Sequence, residues 1–408
     1  MNKKKSKQVP LRRFPEFSKN DGFSSTHLGS LFKERQEAGF TTLPLLSLLD
    51  EKGIVPQSET NRKDNSNSDK SKYLRVCPGD IAYNTMRMWE GRSAYASIEG
   101  LISPAYTVCT PTDGVDSRYF AYLFRTERLV QKFRKYSQGL VKDTLNLKYE
   151  AFSKIEITYP IKKVEQQKIA DCMLSIDGLI EAKAQKLNAI MTHKRGLMQQ
   201  LFPAEGKAVP ELRFPEFRNM GAWSRKSAGN LFSNRAERGS SSLPIYSVTM
   251  TDGLVPRSSL DRKIDDIADV GANKTVRTGD LAYNMMRMWQ GALGVAPEDC
   301  MVSPAYIVLE PQGVNPFFYY FLLKLPQTLR VLTAHSRGLT EDRLRLYFDD
   351  FSKIEVFCPS LPEQSKIADC LLSIDKLIAE HEQEVERLKA HKKSLLQQLF
   401  PVRDEVQL

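Results

Sequence analysis

The chain has 408 residues, enough for two or three domains with cores of their own. Its hydrophobic share of 41% is ordinary for a soluble protein, and no stretch approaches the roughly 20 apolar residues of a membrane span. Lys and Arg number 59 against 49 Asp and Glu, a net charge of +10, which favours a polyanionic partner, nucleic acid before membrane. The opening MNKKKSK is basic, but no apolar run follows it, so no signal peptide is expected. Six cysteines occur without a CxxC pair. Only Cys172 and Cys370 hold equivalent places in the repeats described next, so free thiols in a reducing cytoplasm are expected.

Taken in chain order, the sequence is written twice. Arg13-Phe14-Pro15-Glu16-Phe17 returns as Arg213-Phe214-Pro215-Glu216-Phe217. Residues 78–91 (PGDIAYNTMRMWEG) return at 278–291 (TGDLAYNMMRMWQG), with ten of fourteen positions identical. Ser103-Pro104-Ala105-Tyr106 returns at 303–306, Phe152 to Glu156 at 351–355, and His193 to Pro203 at 391–401. The period is too long for a solenoid and marks a duplicated domain. Each copy opens with a mixed part, about residues 21–160 and 221–359. Gly79-Asp80 and Gly279-Asp280 read as turns before strands. Tyr106 to Val108 and Tyr306 to Val308 read as extended. Phe120 to Phe133 and Phe317 to Leu332 read as helical, with a break expected at Pro326. The polar run from Thr60 to Lys72 reads as a surface loop.

Each copy closes on a helix. Apolar residues fall at Ile169, Met173, Ile176, Ile180, Leu187, Ile190, Leu197 and Leu201. The second set is Ile367, Leu371, Ile374, Ile378, Val385, Leu388, Leu395 and Leu399. Steps of four and three over nearly five heptads predict a coiled coil, with the two helices paired and each roughly 50 Å long. Lys183, Lys194, His381 and Lys392 fill the polar seam positions and would fix register. The fold class expected is α+β, with boundaries at 1–160, 161–202, 203–359 and 360–408. Residues 203–211 serve as a linker within the third segment.

Catalytic signatures are missing. Asn315-Pro316-Phe317 lacks the second proline of a methyltransferase target-base motif, and neither a GxxxxGK[ST] loop nor a GxSxG elbow occurs. Asp177, Glu181 and Lys183 form a loose nuclease-like D…ExK pattern, but they lie on the helix and read as structural. Five histidines are too scattered for a metal cluster, and His193 and His391 are expected to face solvent. No catalytic residue, metal or cofactor is assigned to this chain.

Three groups of residues suit nucleic acid. Read as a strand, the AYNxMRMW run puts Tyr83, Arg87 and Trp89 on one face, with Ala82, Asn84, Met86 and Met88 on the other. Tyr283, Arg287 and Trp289 and their opposite numbers repeat the split. Arg87 and Arg287 suit guanine or phosphate, and Asn84 and Asn284 suit adenine. The competing reading puts Met86, Met88 and Trp89 in the core, stacks the arginine on an aromatic ring and satisfies the Asn from backbone. The second group is a Ser-x-Gly-Leu loop: Ser137, Gly139 and Lys142, then Ser336, Gly338 and Arg343. Its glycine would let backbone approach a phosphate, or would simply cap a helix. The third comprises the basic pairs Arg62-Lys63 and Arg262-Lys263, which would touch a nucleic-acid backbone or stay solvated.

The whole layout resembles the specificity subunit of type I restriction-modification enzymes. The residues that carry the likeness are AYNxMRMWxG, SPAY, the F-S-K-I-E segment, Glu165-Gln166-Gln167-Lys168-Ile169-Ala170 with its echo from Glu363 to Ala368, and the HKxxLxQQLFP helix ends. The resemblance implies two target recognition domains, each reading half of a split DNA site. It implies an antiparallel coiled coil that sets the gap, and an internal pseudo-two-fold repeat. It also implies a non-catalytic chain docking two methyltransferase subunits, joined by restriction subunits for cleavage. S-adenosylmethionine would then sit in the methyltransferase subunit, and the target would be adenine N6. The two recognition domains here are of one subtype, so half-sites sharing several bases are expected, with any divergence sought at Lys142/Glu341, Thr144/Arg343 and Asn146/Arg345. A freestanding duplicated DNA-binding protein is the rival reading.

Overall fold

The computed structural model describes residues 9–19, 22–49, 53–60, 66–67, 69–260 and 270–401. The chain divides into two compact units, Met1–Ala184 with Gln383–Leu408, and Gln185–Glu382. Each unit therefore holds one mixed domain, part of its own long helix and part of the other copy's.

In the first unit a four-stranded antiparallel sheet runs Phe32–Arg35, Tyr106–Pro111, Ile81–Asn84, Ser93–Tyr95. Ile81 stands opposite Cys109 and Tyr83 opposite Thr107. Period-two alternation sends Ile81, Tyr83 and Cys109 into a core shared with helical residues such as Phe120, Phe124 and Phe152. Ala82, Ala94 and Val108 face the other way, into a smaller core with Leu46, Ile54 and Val76. The sheet is buried on both sides, which explains its apolar strands. Gly79 has a φ of +98°, and Asp80 closes that turn by accepting from the Cys77 amide at 2.8 Å and from Arg35 Nε at 2.8 Å.

The second unit repeats this plan in the same register, with Leu281 opposite Leu309 and Tyr283 opposite Ile307. The helical stretch after the sheet breaks in both units: Ser117–Leu123 then Glu127–Tyr136, and Pro316–Leu323 then Pro326–Ala334. The break expected at Pro326 is thus present, and Pro326 opens the second helix because its missing N–H is not needed in a first turn. Asn315 likewise caps a helix, its Oδ1 accepting from Phe317 and Phe318 amides at 3.0 and 3.2 Å.

The long helices are Lys163–Leu201 and Leu361–Leu399, 39 residues each, or about 58 Å. Along both, the seam positions are buried or half-buried among mostly exposed residues. Their partial pairing within each unit is antiparallel. In the first unit Lys183 meets Glu384 at 2.7 Å and Lys392 meets Asp177 at 2.5 Å. In the second, Lys194 pairs with Asp375. The three seam lysines are therefore matched with acids from the opposing helix. Each domain core is finished by the last turn of one long helix and the first turns of the other. Ile169, Ala170, Met173, Leu399 and Phe400 join the first core; Leu201, Phe202, Ile367, Ala368 and Leu371 join the second. Phe400 stacks on Tyr119 at 5.0 Å, and Phe202 lies 5.3 Å from Phe318.

The repeated RFPEF and EQxK segments meet here. Arg13 grips Glu165 through Nε and Nη2 at 2.6 and 2.8 Å; Arg213 grips Glu363 at 2.7 and 2.8 Å. Trp223 Nε1 adds a third donor to Glu363 at 3.1 Å. The neighbouring Gln166 and Gln364 accept from the Asp116 and Asn315 amides at 2.8 and 2.9 Å, tying helix start to domain. Glu363→Ala would strand Arg213 at a site where it is only 8% exposed, costing about 3–5 kcal/mol. Lys366→Ala would remove exposed contacts, a pair with Glu216 and a position over the Phe214 ring, costing about 1 kcal/mol. Urea melts of the two variants check this contrast.

Candidate nucleic-acid interface

The AYNxMRMW run is not one strand. It is extended only to Asn84, turns through 85–87, and forms a short 3-10 helix over Met88–Glu90. Gly91 then takes a left-handed φ of +81°. The reversal comes from the Asn84 side chain, whose Oδ1 accepts from the Met86 amide at 3.0 Å. The second copy does the same, with Asn284 and Met286 at 3.0 Å. The facial split expected of a strand therefore does not hold. Met88 is fully buried, whereas Met86 is 48% exposed and not core. Trp89 is half-buried, its Nε1 donating to the Met86 carbonyl at 2.9 Å. Arg87 projects from the turn beside Glu90 at 3.6 Å and stacks on no ring among the described residues. Arg287 is exposed, and Gln290 replaces the acid.

The Ser-x-Gly-Leu segment is a pinned loop. Ser137 and Ser336 end their helices, each hydroxyl donating to a carbonyl four residues back, Phe133 and Leu332, at 2.8 Å. Gln138 and Asn146 exchange backbone hydrogen bonds of 2.9 and 2.8 Å; Arg337 and Arg345 exchange two of 2.9 Å. Gly139 and Gly338 have φ of +141° and +149°, and a Cβ on either would lie 2.5 Å from a carbonyl oxygen, of Thr144 or Arg343. The glycine shapes the loop and does not cap the helix. Lys142 opens the turn that follows in the first copy, and Arg343 closes it in the second. Leu140 and Leu339, at the loop tips, are fully solvent-exposed.

The structure brings these segments together. The Leu147 amide donates to the Thr85 carbonyl at 2.8 Å, and the Leu346 amide to the Met285 carbonyl at 2.9 Å. The Ser-Pro-Ala-Tyr turn joins from the other side: the Thr85 and Met285 amides donate to the Ala105 and Ala305 carbonyls at 3.1 and 3.2 Å. Three repeated motifs, far apart in sequence, thus form one surface in each unit. The place of the SPAY turn in it was missed by reasoning from residue chemistry, because that turn carries no charged group; its exact repetition was the available signal. The second unit adds Lys274, whose Nζ donates to the Tyr306 carbonyl at 2.7 Å and whose pKa is lowered by burial. Burial pushes the Tyr283 hydroxyl well above its ordinary range, and it donates to the Leu346 carbonyl at 3.3 Å. Arg62, Lys63, Arg262 and Lys263 lie outside the described residues.

The nuclease-like trio is occupied by structural contacts. Asp177 accepts from the Tyr122 hydroxyl at 2.7 Å and pairs with Lys392, while Lys183 pairs with Glu384. His193 and His391 face solvent on the long helices. All six cysteines are free thiols, and no described helix is long and apolar enough to cross a membrane.

Fold and surface together define a duplicated α+β chain, with one composite turn surface in each of two homologous units. A family model described as the type I restriction modification DNA specificity domain matches residues 27–192 and 283–390, more than half of the chain. The chain belongs to that family. A segment of 118 residues is 34% identical to the type I restriction enzyme MjaIX specificity subunit of Methanocaldococcus jannaschii; it spans 29% of this chain and only 26% of that relative. The fold is similar to that of a type I restriction-modification S subunit from M. genitalium, with TM-score 0.60 and 13% identity over 97% of this chain and 100% of the other. It is also similar to a chain from a type I R-M system solved for its complex assembly and conformational transition, with TM-score 0.54 and 15% identity over 94% and 98% of the two chains.

Gly338→Ala would force a side chain into the left-handed region and against the Arg343 carbonyl, a strain of roughly 1–3 kcal/mol. The amides of Arg337 and Arg345 should then exchange with deuterium roughly 5- to 150-fold faster than in the wild type, which amide-resolved hydrogen exchange measures. Unchanged rates would show that the glycine does not hold the loop.

Proposed function

We propose that the chain is the non-catalytic DNA-reading subunit of a type I restriction-modification complex. Its two units each read one half of a bipartite site. The observation that supports this most is the composite turn surface, built once per unit from the same three motifs and left exposed. Arg87, Arg287, Lys142 and Arg343 supply positive charge to phosphate or guanine there. Asn84 and Asn284 have their side-chain oxygens engaged in the turn, so a role on adenine would fall to their amide groups alone. The exposed faces of the long helices dock two methyltransferase subunits, which carry S-adenosylmethionine and modify adenine N6. Restriction subunits complete the assembly, in the cytoplasm. The likeness between the two units supports half-sites that share several bases.

The long helices act as the ruler for the gap, since both run from one unit into the other. One heptad inserted in each adds about 10 Å of helix, or roughly three base pairs of DNA at 3.4 Å each. The test uses a host without adenine methylation. This chain is expressed with its methyltransferase subunit, and N6-methyladenine is mapped by long-read sequencing. The expected result is a split motif that vanishes when either gene is omitted. In the heptad variant the gap should lengthen by about three base pairs, with both half-sites intact. A constant gap would refute the ruler. Tight specific binding by the chain alone, with no methyltransferase complex, would point instead to a freestanding DNA-binding protein.

A further inference from the structure

We propose that the second unit carries a base-reading pocket that the first lacks, and that this pocket takes a G·C pair in one half-site. The inference rests on the proposed function and names a ligand for one part of its surface.

The pocket has a volume of about 460 Å³ and is lined by Arg337, Gly338, Arg343, Arg345, Tyr347 and Asp349. Arg337 is already engaged. It pairs with Asp350 at 2.6 Å, donates to its second oxygen at 2.9 Å, and lies 5.4 Å from the Tyr347 ring centre. The same guanidinium holds the Asp350 carboxyl below its usual range. Arg343 and Arg345 are exposed and make no side-chain hydrogen bond or ion pair among the described residues, and the same is true of Asp349. The backbone beneath them is fixed by the Arg337–Arg345 bridge and by Gly338, so these groups stand on a formed loop.

The mixture of charges decides the ligand class. A phosphate offers only acceptors and negative charge, and Asp349 would oppose it. The major-groove edge of a G·C pair offers guanine O6 and N7 as acceptors and cytosine N4 as a donor. Two unengaged guanidiniums beside one unengaged carboxylate match that edge. A nearby phosphate shares the arginine chemistry, and the test separates the two.

The first unit carries different side chains at every one of these positions but the glycine. Gln138, Thr144, Asn146, Lys148 and Glu150 stand where Arg337, Arg343, Arg345, Tyr347 and Asp349 stand in the second. Glu150 is moreover paired with Lys154 at 2.8 Å. The repeated parts of the two surfaces therefore differ most at this loop. Half-sites that share other bases would part company here.

The test compares the wild-type complex with the Arg343→Thr/Arg345→Asn double variant, which installs the first unit's residues. Both are expressed with the methyltransferase subunit, and N6-methyladenine is mapped. One guanine–cytosine position in one half-site should become degenerate, with discrimination falling roughly 5- to 100-fold. The other half-site and the gap should be unchanged. Arg343→Lys/Arg345→Lys keeps the charge but loses the forked donor geometry. It should relax the same position, which guards against a folding artefact in the first variant. Asp349→Asn should also relax it. An unchanged motif with methylation reduced alike at every site would mark a phosphate contact and overturn the pocket assignment. Unchanged motif and level, or changes in both half-sites, would overturn it too. No split motif even in the wild-type complex would overturn the underlying reading, and the pocket with it.

Discussion

The structure depends on how each domain core is closed. Tyr119 meets Phe400, and Phe318 meets Phe202, so each core needs the end of a helix that starts beside the other domain. These aromatic contacts sit at the end of long loops in sequence, costly to close in entropy but rewarded by large apolar burial. They also make the helices common property. The buried Arg13–Glu165 and Arg213–Glu363 pairs reinforce the same junctions from the helix starts. They are geometrically specific and poor in alternatives, because a stranded partner is expensive. The seam lysines, matched with Asp177, Asp375 and Glu384, then select one register for the helix pair.

On this frame the proposed recognition surface costs little to vary. Its backbone is set by turns: the Asn84 and Asn284 side-chain caps, the Gly139 and Gly338 bends, and the bridges that close the loops. The asparagines and glycines repeat between the units, as do the backbone bridges. The side chains carried by the loops do not, as Thr144 against Arg343 and Asn146 against Arg345 show. A fixed turn scaffold with exchangeable side chains is a physical basis for changing specificity without changing the fold.

Much of this was legible in the sequence. The duplication was visible as a constant offset, and the helices as a 3.5-residue period, because both signals extend over many residues. The polar seam positions also stood out, although their acidic partners did not, since Asp177 and Asp375 lie off the seam. The AYNxMRMW run misled because its alternation looks like a strand. Two local features outweigh that pattern: the Asn84 cap and the left-handed Gly91. Pro326 marked the break in the second domain, but the matching break between Leu123 and Glu127, where the first domain has no proline, was not visible. The arginine pocket was only half visible. Arg343 and Arg345 were evident as differences between copies, but Tyr347 and Asp349 join them only once the loop is folded. Arg62, Lys63, Arg262 and Lys263 fall outside the described residues.

The central claim is that the three repeated turns form the DNA-facing surface of each unit. Site-specific photocrosslinking of the methyltransferase-bound chain to its methylated site tests this most directly. A photoreactive amino acid is placed in turn at Met86, Leu140, Met286 and Leu339, with the exposed helix residue Leu179 as the contrast. The account predicts crosslinks from Met86 and Leu140 to one half-site and from Met286 and Leu339 to the other, with none from Leu179. Crosslinks from the helix position alone, or none from the four turn positions, would contradict it.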